Sequence, residues 1–295
     1  MRRNDSGPSP WRSLWVETGD HALIHVRVAG RDEARGGERP DKPAIVLLHG
    51  WSQSAECFER QAPLAERFQV VCPDLRAHGL SSKVAHGHTL PDYGRDVARV
   101  ADGLGLERFV LGGWSMGGTL ALSCWDLFGP ERMAGLALVE ATPAPMSTEP
   151  WNTHALRGND PSVLAKALGK IERDRRAHME LFVQAMFADG RGAERECRRL
   201  LEQALRCPAW AAAAIYSDYA LRNYADSLER INVPCLAAFG AGRLCLGPVP
   251  AQYLSRAMPD CRAVLFAESG HMPFWEEPEA FNLALAELAE RAGLA

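Results

Sequence analysis

Short runs of consecutive apolar residues recur along the chain. They are AIVLL (Ala44–Leu48), FQVVC (Phe68–Cys72), FVLGG (Phe109–Gly113), GLALVE (Gly135–Glu140), PCLAAFG (Pro234–Gly240) and AVLFAE (Ala263–Glu268). Apolar residues occupy consecutive rather than alternate positions in these runs, a pattern typical of strands buried on both faces. We therefore predict that they form a mostly parallel sheet.

Between these runs, apolar residues three to four positions apart predict helices. The clearest stretches are Tyr93–Leu104, Gly118–Phe128 and Pro278–Ala292. Ahead of the first run, Leu14–Gly30 alternates apolar and polar residues around a central Gly-Asp pair, which is the pattern of a β-hairpin. Strands that alternate with helices predict an α/β fold with a doubly wound, mostly parallel sheet.

The alternation is interrupted between residues 144 and 230. This interval shows helical patterns rich in Met and aromatic residues, and no run within it resembles a strand. We interpret it as an inserted helical cap, or lid, over the sheet, with residues 1–143 and 231–295 forming the core.

Composition narrows the classes of partner. The 295 residues are 47% apolar and 24% charged, with a net charge of −4 and a pI near 6.2. That balance gives no electrostatic reason to expect nucleic acid or an anionic membrane as partner. No signal-like start and no membrane-spanning apolar run occurs, and the eight cysteines form no C-x-x-C pair. We expect a cytoplasmic monomer or homodimer with buried free thiols that acts on a small-molecule substrate.

One short motif is the most informative about the chemistry of the protein. Gly113-Trp114-Ser115-Met116-Gly117 reads G-x-S-x-G and lies between a predicted strand and a predicted helix. In that setting the serine occupies a sharp turn that exposes its hydroxyl, and the flanking glycines let strand and helix approach closely. The start of the helix favours the negative charge that develops during acyl transfer. Ser115 is therefore the predicted nucleophile.

The loop after the first buried run supplies matching groups. It reads His49-Gly50-Trp51, and we predict that the backbone N–H groups of Trp51 and Met116 form an oxyanion hole. Such a pair of donors stabilises the charged oxygen of an acyl-transfer intermediate. His49 is a base in isolation, but its place beside Gly50 favours a role in bracing the loop.

His271 is the stronger candidate for the catalytic base. It lies in ESGHMPFWEEP, on a loop after the last apolar run and before a helix that begins near Pro278. A histidine past a strand end reaches a nucleophile at the same edge of the sheet. The other histidines fit less well, because they belong to the hairpin, a polar loop or the cap: His21, His25, His78, His86, His88, His154 and His178.

Four segments together resemble the α/β-hydrolase superfamily, in its esterase and haloperoxidase-like branch. They are LLHGWSQSAECF, PDLRAHGLSS, GGWSMGG and ESGHMPFWEEP. The resemblance extends from about Leu14 to the carboxyl terminus, and the cap is its least similar part. It implies a Ser–acid–His triad in that chain order, with Ser115 as nucleophile and His271 as base.

The acid of that triad is missing from its usual position. Members of the family usually carry an Asp in a G-x-x-D pattern after the strand that Pro234–Gly240 represents, and the corresponding residue here is Arg243. A cation there would oppose an imidazolium rather than stabilise it. Glu140, at the end of the preceding strand, is the predicted replacement. It resembles the acid of certain haloalkane dehalogenases and cofactor-free ring-cleaving dioxygenases in this superfamily.

Alternatives for these charged residues stay open. A carboxylate at a strand end is costly unless it is paired or solvated, so Glu140 is an unusual choice for packing. An exposed strand end or an ion pair with an arginine of the cap would also explain it. Asp218, Asp226 and Glu268 are weaker acids by position. Arg243 is most simply a solvated residue, although binding a substrate carboxylate or pairing with Glu140 is a sharper alternative.

Three functions are compatible with these residues. The leading hypothesis is a serine hydrolase that cleaves a carboxylic ester, thioester or lactone through an acyl-enzyme, with neither cofactor nor metal. A cofactor-free dioxygenase that uses His271 as base is the second, and a non-catalytic binding protein of the same fold is the third. For the hydrolase we predict an apolar substrate pocket, although many of the cap's Met and aromatic residues could simply pack it onto the core. The pocket residues are Trp51, Trp114, Trp151, Phe182 and Met186.

Overall fold

The structure is a computed structural model and describes residues 9–30, 42–158, 160–189, 193–242 and 245–294. Within these ranges eight strands form a sheet in the order β1-β2-β4-β3-β5-β6-β7-β8. Their bounds are β1 Arg12–Glu17, β2 Leu23–Ala29, β3 Ala44–Leu48, β4 Gln69–Pro73, β5 Phe109–Trp114, β6 Met133–Val139, β7 Cys235–Gly240 and β8 Cys261–Phe266. β2 pairs antiparallel with β1 and β4, and the other neighbours are parallel. The predicted mostly parallel sheet is confirmed.

Five of the six apolar runs form the centre of the sheet because both of their faces are covered, and every residue of β3 to β7 is buried. The sixth run, AVLFAE, overlaps β8 at the edge of the sheet, where three of the six residues are exposed. The prediction that this run is buried on both faces is therefore wrong. Neighbouring residues of β3 belong to different hydrophobic clusters, Ile45 to one and Val46 to the other. The alternating segment near the amino terminus forms the predicted hairpin of β1 and β2, with Trp15 opposite His25.

In the described part of the chain, nine α-helices accompany the sheet. They are α1 Leu90–Gly103, α2 Met116–Arg132, α3 Pro161–Arg173, α4 Arg175–Ala185, α5 Glu194–Leu205, α6 Ala209–Leu221, α7 Pro248–Ala257, α8 Pro273–Glu276 and α9 Pro278–Arg291. The same ranges include two 3-10 segments, Ala55–Glu66 between β3 and β4, and Ala225–Arg230 between α6 and β7. Tyr93 of α1 belongs to the same cluster as Val46, and Phe281 of α9 to the same cluster as Ile45. Helices therefore cover both faces, as the doubly wound prediction requires.

Helices α3 to α6 lie between β6 and β7 in chain order, and the described residues of 144–230 contain no strand. We refer to residues 161–221 as the helical insertion. Buried side chains such as Met179, Val183, Leu200 and Ile215 join it to the clusters of the sheet. The boundaries predicted for a cap, 144 and 230, stay a prediction.

Cys72, Cys124 and Cys235 are buried free thiols, as the sequence predicted. Burial raises the pKa of each of these thiols. No helix in the described ranges combines the length and the apolar character needed to span a membrane.

Candidate active site

Ser115 lies at the turn between β5 and α2, in a backbone conformation that serine rarely adopts. Its φ is 55° and its ψ is −123°, and its N–H donates to the Val139 carbonyl at 2.8 Å. A positive φ is strained for a residue with a Cβ and persists where the surroundings enforce it. The turn places the side chain at the start of α2, where the helix dipole favours negative charge.

Gly113 and Gly117 flank Ser115 because no side chain fits at either position. A Cβ on Gly113 would lie 2.0 Å from the Gly117 carbonyl oxygen. A Cβ on Gly117 would lie 2.3 Å from the Leu48 carbonyl oxygen. The spacing of the G-x-S-x-G motif is therefore a packing requirement of the turn between β5 and α2.

The Gly50 loop, residues 50–54, runs directly beside Ser115. A Cβ on Gly50 would come within 3.2 Å of the Ser115 Cβ. The Gln53 N–H donates to the Gly50 carbonyl at 3.1 Å and closes the turn, with Ser52 at a φ of 60°. The indole of Trp51 donates to the Ala212 carbonyl of α6 at 2.9 Å. The loop is thus held between the sheet and the helical insertion.

His49 braces the Gly50 loop, as its sequence position indicated. Its Nε2 accepts a hydrogen bond from the Leu75 N–H at 2.9 Å, which leaves Nδ1 to donate to the Gly50 carbonyl at 2.9 Å. Burial lowers the pKa of this side chain. Both ring nitrogens are engaged, so His49 does not serve as a base.

The structure brings Glu140 and His271 together. Nδ1 of His271 lies 3.0 Å from Oε2 of Glu140, whose side chain is fully buried. Glu140 also accepts hydrogen bonds from the Gly240 N–H on Oε1 at 2.9 Å and from the Leu246 N–H on Oε2 at 2.8 Å. Three donors satisfy a carboxylate that would otherwise be costly to bury.

The other acids weighed from the sequence lie elsewhere. Asp226 and Glu268 are exposed. Asp218 pairs with Arg222 at 2.5 Å and accepts from the Leu90 N–H at 2.8 Å. Among these candidates, Glu140 is the one in contact with His271. Arg243 lies outside the described residues.

Trp114 contacts the His271 loop from the hydrophobic core. Its indole N–H donates to the His271 carbonyl at 2.7 Å, and its ring packs against Phe274 with centroids 5.1 Å apart. The side chain is fully buried in the cluster of Ile45. Trp114, which the sequence suggested as a substrate-binding residue, therefore packs in the core and is not among the residues that line the cavity beside Ser115.

Ser115 and His271 both line a cavity of about 390 Å³. Trp51, Phe182 and Met186, three residues expected at a substrate pocket, are on its wall. Trp151 is not, because its ring stacks on Tyr253 of α7 with centroids 4.3 Å apart and planes 5° from parallel. The remaining lining residues are Thr153, His154, Ala155, Ala185, Tyr216, Tyr219, Cys245 and Leu246.

His154 is a cavity residue that the sequence interpretation had set aside. Its Nδ1 accepts a hydrogen bond from the Leu156 N–H at 3.2 Å, and Nε2 lies 3.1 Å from the Tyr219 hydroxyl. Burial, and then the proximity of His271, lowers the pKa of His154 to about 4. It is therefore a neutral polar group near neutral pH. No local motif marks it. Its backbone N–H donates to Oδ1 of Asn152 at 3.1 Å, and the amide Nδ2 of Asn152 in turn donates to the Ala144 carbonyl at 3.1 Å.

Comparison with known proteins identifies the family. The sequence profile described as "Alpha/beta hydrolase family" matches residues 45–284, well over half of the chain. The chain belongs to the alpha/beta hydrolase family. The resemblance of the four sequence segments is thereby confirmed, and so is the prediction of an enzyme of this class.

Curated relatives of this hydrolase are esterases. It is 29% identical over 266 residues to a pimeloyl-[acyl-carrier protein] methyl ester esterase of Vibrio campbellii, covering 86% of this chain and 96% of the relative. A protein of the same name from Nitrosomonas europaea is 26% identical over 264 residues, covering 88% of this chain and 97% of that one.

Solved structures share the fold of this hydrolase. An esterase from Exiguobacterium antarcticum superposes with a TM-score of 0.83 at 22% identity, covering 95% of this chain and all of that one. A bromoperoxidase from Bacillus anthracis gives a TM-score of 0.82 at 20% identity, again covering 95% of this chain and all of the other. At these identities the likeness concerns the fold alone.

Ser115 and His271 lie on the wall of one cavity. The serine is half-buried at a helix start, and the histidine is backed by a buried carboxylate, an arrangement that is compatible with acyl transfer. Within the described ranges, no group of three or more His, Cys, Asp or Glu side chains is arranged to hold a metal ion.

Proposed function

We propose that this hydrolase cleaves carboxylic esters through an acyl-enzyme, with Ser115 as nucleophile, His271 as base and Glu140 as the acid that orients it. Thioesters and lactones fall within the same chemistry. The observation that carries the proposal is the 3.0 Å contact between His271 Nδ1 and the buried Glu140 carboxylate, on the wall of the cavity that Ser115 also lines.

In the proposed reaction, the Glu140 carboxylate accepts a hydrogen bond from Nδ1–H of His271. The carboxylate thereby fixes the tautomer in which Nε2 is free to take the proton of the Ser115 hydroxyl, and it stabilises the imidazolium that forms. The Ser115 oxygen then attacks the ester carbonyl. The resulting oxyanion is stabilised by the N–H groups of Trp51 and Met116. His271 returns the proton to the alcohol that leaves, and a water molecule activated by the same histidine releases the acid. In this second half-reaction His271 takes a proton from the attacking water and returns it to the Ser115 oxygen as the acyl–oxygen bond breaks, which restores the free enzyme.

The proposed oxyanion hole is supported by its surroundings. The close approach of Gly50 to the Ser115 Cβ sets the Gly50 loop against the nucleophile. Met116 is the first residue of α2, where backbone N–H groups have no intrahelical acceptor and point out of the helix start. Donors from two separate elements can therefore converge on an oxygen bound at Ser115.

The proposed substrate is an ester with an apolar acyl or alcohol group. Trp51, Phe182 and Met186 give the cavity a largely apolar wall, and the segment 144–230 acts as a cap that shields it from water. The relatives named above act on a methyl ester of a pimeloyl group carried by a protein. Methyl esters of acyl chains are accordingly the first substrates to assay.

Covalent labelling tests the proposal. A fluorophosphonate probe is expected to modify wild-type protein at Ser115 in a one-to-one ratio and to leave Ser115→Ala unlabelled, as intact mass and peptide mapping would report. Hydrolysis of p-nitrophenyl esters should be lost in the same variant. Wild-type protein that neither labels nor hydrolyses any ester, thioester or lactone of a broad panel would contradict the function.

A further inference from the structure

Helix α4, Arg175–Ala185, crosses the catalytic cavity between the two loops that the proposed reaction uses. Phe182 and Ala185 line the cavity from this helix. Its 11 residues, at 1.5 Å each, make it about 16 Å long. We propose that α4 sets the position of the Gly50 loop relative to the His271 loop, with Arg175 and Glu276 as positioning residues. This inference rests on the ester hydrolase function proposed above.

Arg175 joins three chain segments at the amino-terminal end of α4. Its Nη2 donates to the Ser52 hydroxyl at 3.1 Å and to the Ala204 carbonyl at 2.7 Å. Its Nε donates to the Cys207 carbonyl at 3.0 Å, and its guanidinium lies 5.7 Å from the centre of the Trp51 ring. Ala204 lies in the last turn of α5, and Cys207 is two residues beyond the end of that helix. Carbonyls at a helix end lack intrahelical partners and attract cations.

The Gly50 loop needs such a clamp because its backbone is strained. Ser52 has a φ of 60°, and its N–H donates to Nε2 of His78 at 3.2 Å on the side of the sheet. Arg175 holds the same residue from the side of the helical insertion. Only a planar guanidinium presents several N–H groups in fixed directions, so an ammonium group would not reproduce this set of contacts.

The opposite end of α4 contacts the His271 loop. The His271 N–H donates to the carbonyl of Met186, the residue after the helix, at 2.9 Å. Glu276 accepts from the Ala188 N–H on Oε1 at 2.9 Å and from the Gly270 N–H on Oε2 at 2.8 Å. One carboxylate therefore ties the chain after α4 to the residue that precedes the base.

The contact between these two segments is close-packed. A Cβ on Gly270 would lie 2.6 Å from the Ala188 nitrogen, so the His271 loop has no room to shift towards α4. Catalytic groups must be held within roughly 0.5 Å of their productive positions. Because a helix transmits displacement along its axis, loosening either end of α4 is expected to misplace the oxyanion donors relative to the base.

The test compares Arg175→Met and Glu276→Gln with matched control variants. Arg176→Met removes the neighbouring, exposed arginine of α4, and Glu279→Gln removes an exposed carboxylate of α9. Arg175→Lys retains the positive charge but removes the planar guanidinium, and it serves as a second variant if Arg175→Met fails to fold. For folded proteins, kcat and KM are measured on a p-nitrophenyl ester, and inhibition constants on a trifluoromethyl ketone that mimics the oxyanion.

We expect Arg175→Met and Glu276→Gln each to lower kcat by about tenfold or more, with KM within about threefold of wild type. Arg175→Met and Arg175→Lys should also raise the inhibition constant of the trifluoromethyl ketone by about tenfold or more, since binding of this inhibitor depends on the oxyanion donors. The controls should match wild type. In the double variant of Arg175→Met and Glu276→Gln, the fold-loss in kcat should be smaller than the product of the two single fold-losses, because both residues act through one helix.

Two results would overturn the inference. One is a kcat within twofold of wild type at both positions, that is, in folded Glu276→Gln and in whichever of Arg175→Met and Arg175→Lys is folded. The other is full multiplicativity in the double variant, which would mean that the two loops are positioned independently. Either result is distinct from failure of the proposed function itself, which would appear as wild-type protein without ester hydrolysis or labelling at Ser115.

Discussion

Glu140 combines burial with a backbone conformation that glutamate seldom adopts. Its φ is 46°, and its N–H donates to the Ala238 carbonyl of β7 at 3.0 Å. That hydrogen bond extends the pairing of β6 with β7 past the strand end and turns the chain so that the carboxylate meets the segment after β7. Gly240 at the end of β7 and Leu246 after it contribute amide donors to Glu140. The end of β7 and the segment after it thus anchor a carboxylate from the end of the preceding strand, β6.

At this residue, we expect Glu140→Gln to lower kcat by about 10²- to 10⁴-fold. A neutral amide offers one oxygen in place of two and leaves an imidazolium at His271 without a counter-charge. Steady-state assays on an activated ester measure the loss, and Asp226→Asn, at an exposed carboxylate, is the matched control. Arg243→Ala is expected to change kcat little. A Glu140→Gln enzyme with wild-type kcat would show that a different group orients His271.

Among the elements, the turn from β5 to α2 is the most constrained. β5 lies between β3 and β6, and α2 approaches both neighbours through its first turn. A Cβ on Gly117 would meet the Leu48 carbonyl oxygen of β3 at 2.3 Å, and one on Gly118 would meet the Ala141 Cβ, just after β6, at 2.4 Å. Three successive strands therefore fix where the helix begins, and with it the direction of the Ser115 side chain.

For this element, we expect Gly113→Ala to lower the free energy of unfolding by about 2–4 kcal/mol, because the new methyl group would collide with the backbone of α2. The new Cβ at position 113 would lie 2.0 Å from the Gly117 carbonyl oxygen. Urea denaturation followed by tryptophan fluorescence measures the loss. Gly19→Ala is the control, since its Cβ would approach no closer than 3.7 Å, to Nη2 of Arg99. Equal stability of the two variants would contradict the packing argument.

Across the whole molecule, Asp74 links parts of the chain that are distant in sequence. It accepts hydrogen bonds from Nδ1 of His25 on β2 at 2.8 Å, from the Ala55 N–H at 2.7 Å and from the Leu80 N–H at 2.7 Å. Burial alone would raise the pKa of this carboxyl, but these bonds and the nearby His49 outweigh it and lower the pKa to about 2. The hairpin, the start of the 3-10 segment Ala55–Glu66 and the loop after β4 are thus held by one ionised group.

This network predicts a dependence of stability on pH. The folded-state pKa lies below the unfolded value of 3.8, so the stabilisation, about 2 kcal/mol, is complete above that value and is lost as pH falls through about 2. Asp74→Asn should therefore lower Tm near pH 7, and its deficit against wild type should narrow below pH 4. Thermal unfolding across pH, with exposed Asp102→Asn as control, measures this. A deficit that is constant with pH would show that the ionised form is not what stabilises the fold.

Much of the fold could be predicted from the sequence, because the signals involved are local. AIVLL became β3 since continuous apolar residues require cover on both faces, and G-x-S-x-G marked the turn at Ser115 since only glycine fits beside it. The helix Pro248–Ala257 and the 3-10 segment Ala55–Glu66 escaped prediction. The 3-10 segment contains Pro63 in its interior, where proline is not typical of a helix. The helix Pro248–Ala257 begins with Pro248-Val249-Pro250, so its first turn resembles a loop in sequence.

The sequence by itself determined the family, the turn at Ser115 and the order of the chemical groups along the chain, because strand periodicity and glycine spacing are properties of neighbouring residues. Only the tertiary structure decided which carboxylate meets His271, that Trp114 packs in the core against the His271 loop, and that His154 lines the cavity. Each of these depends on where separate elements come to lie against one another across the sheet, and that placement is a property of the packed molecule, which no single segment encodes.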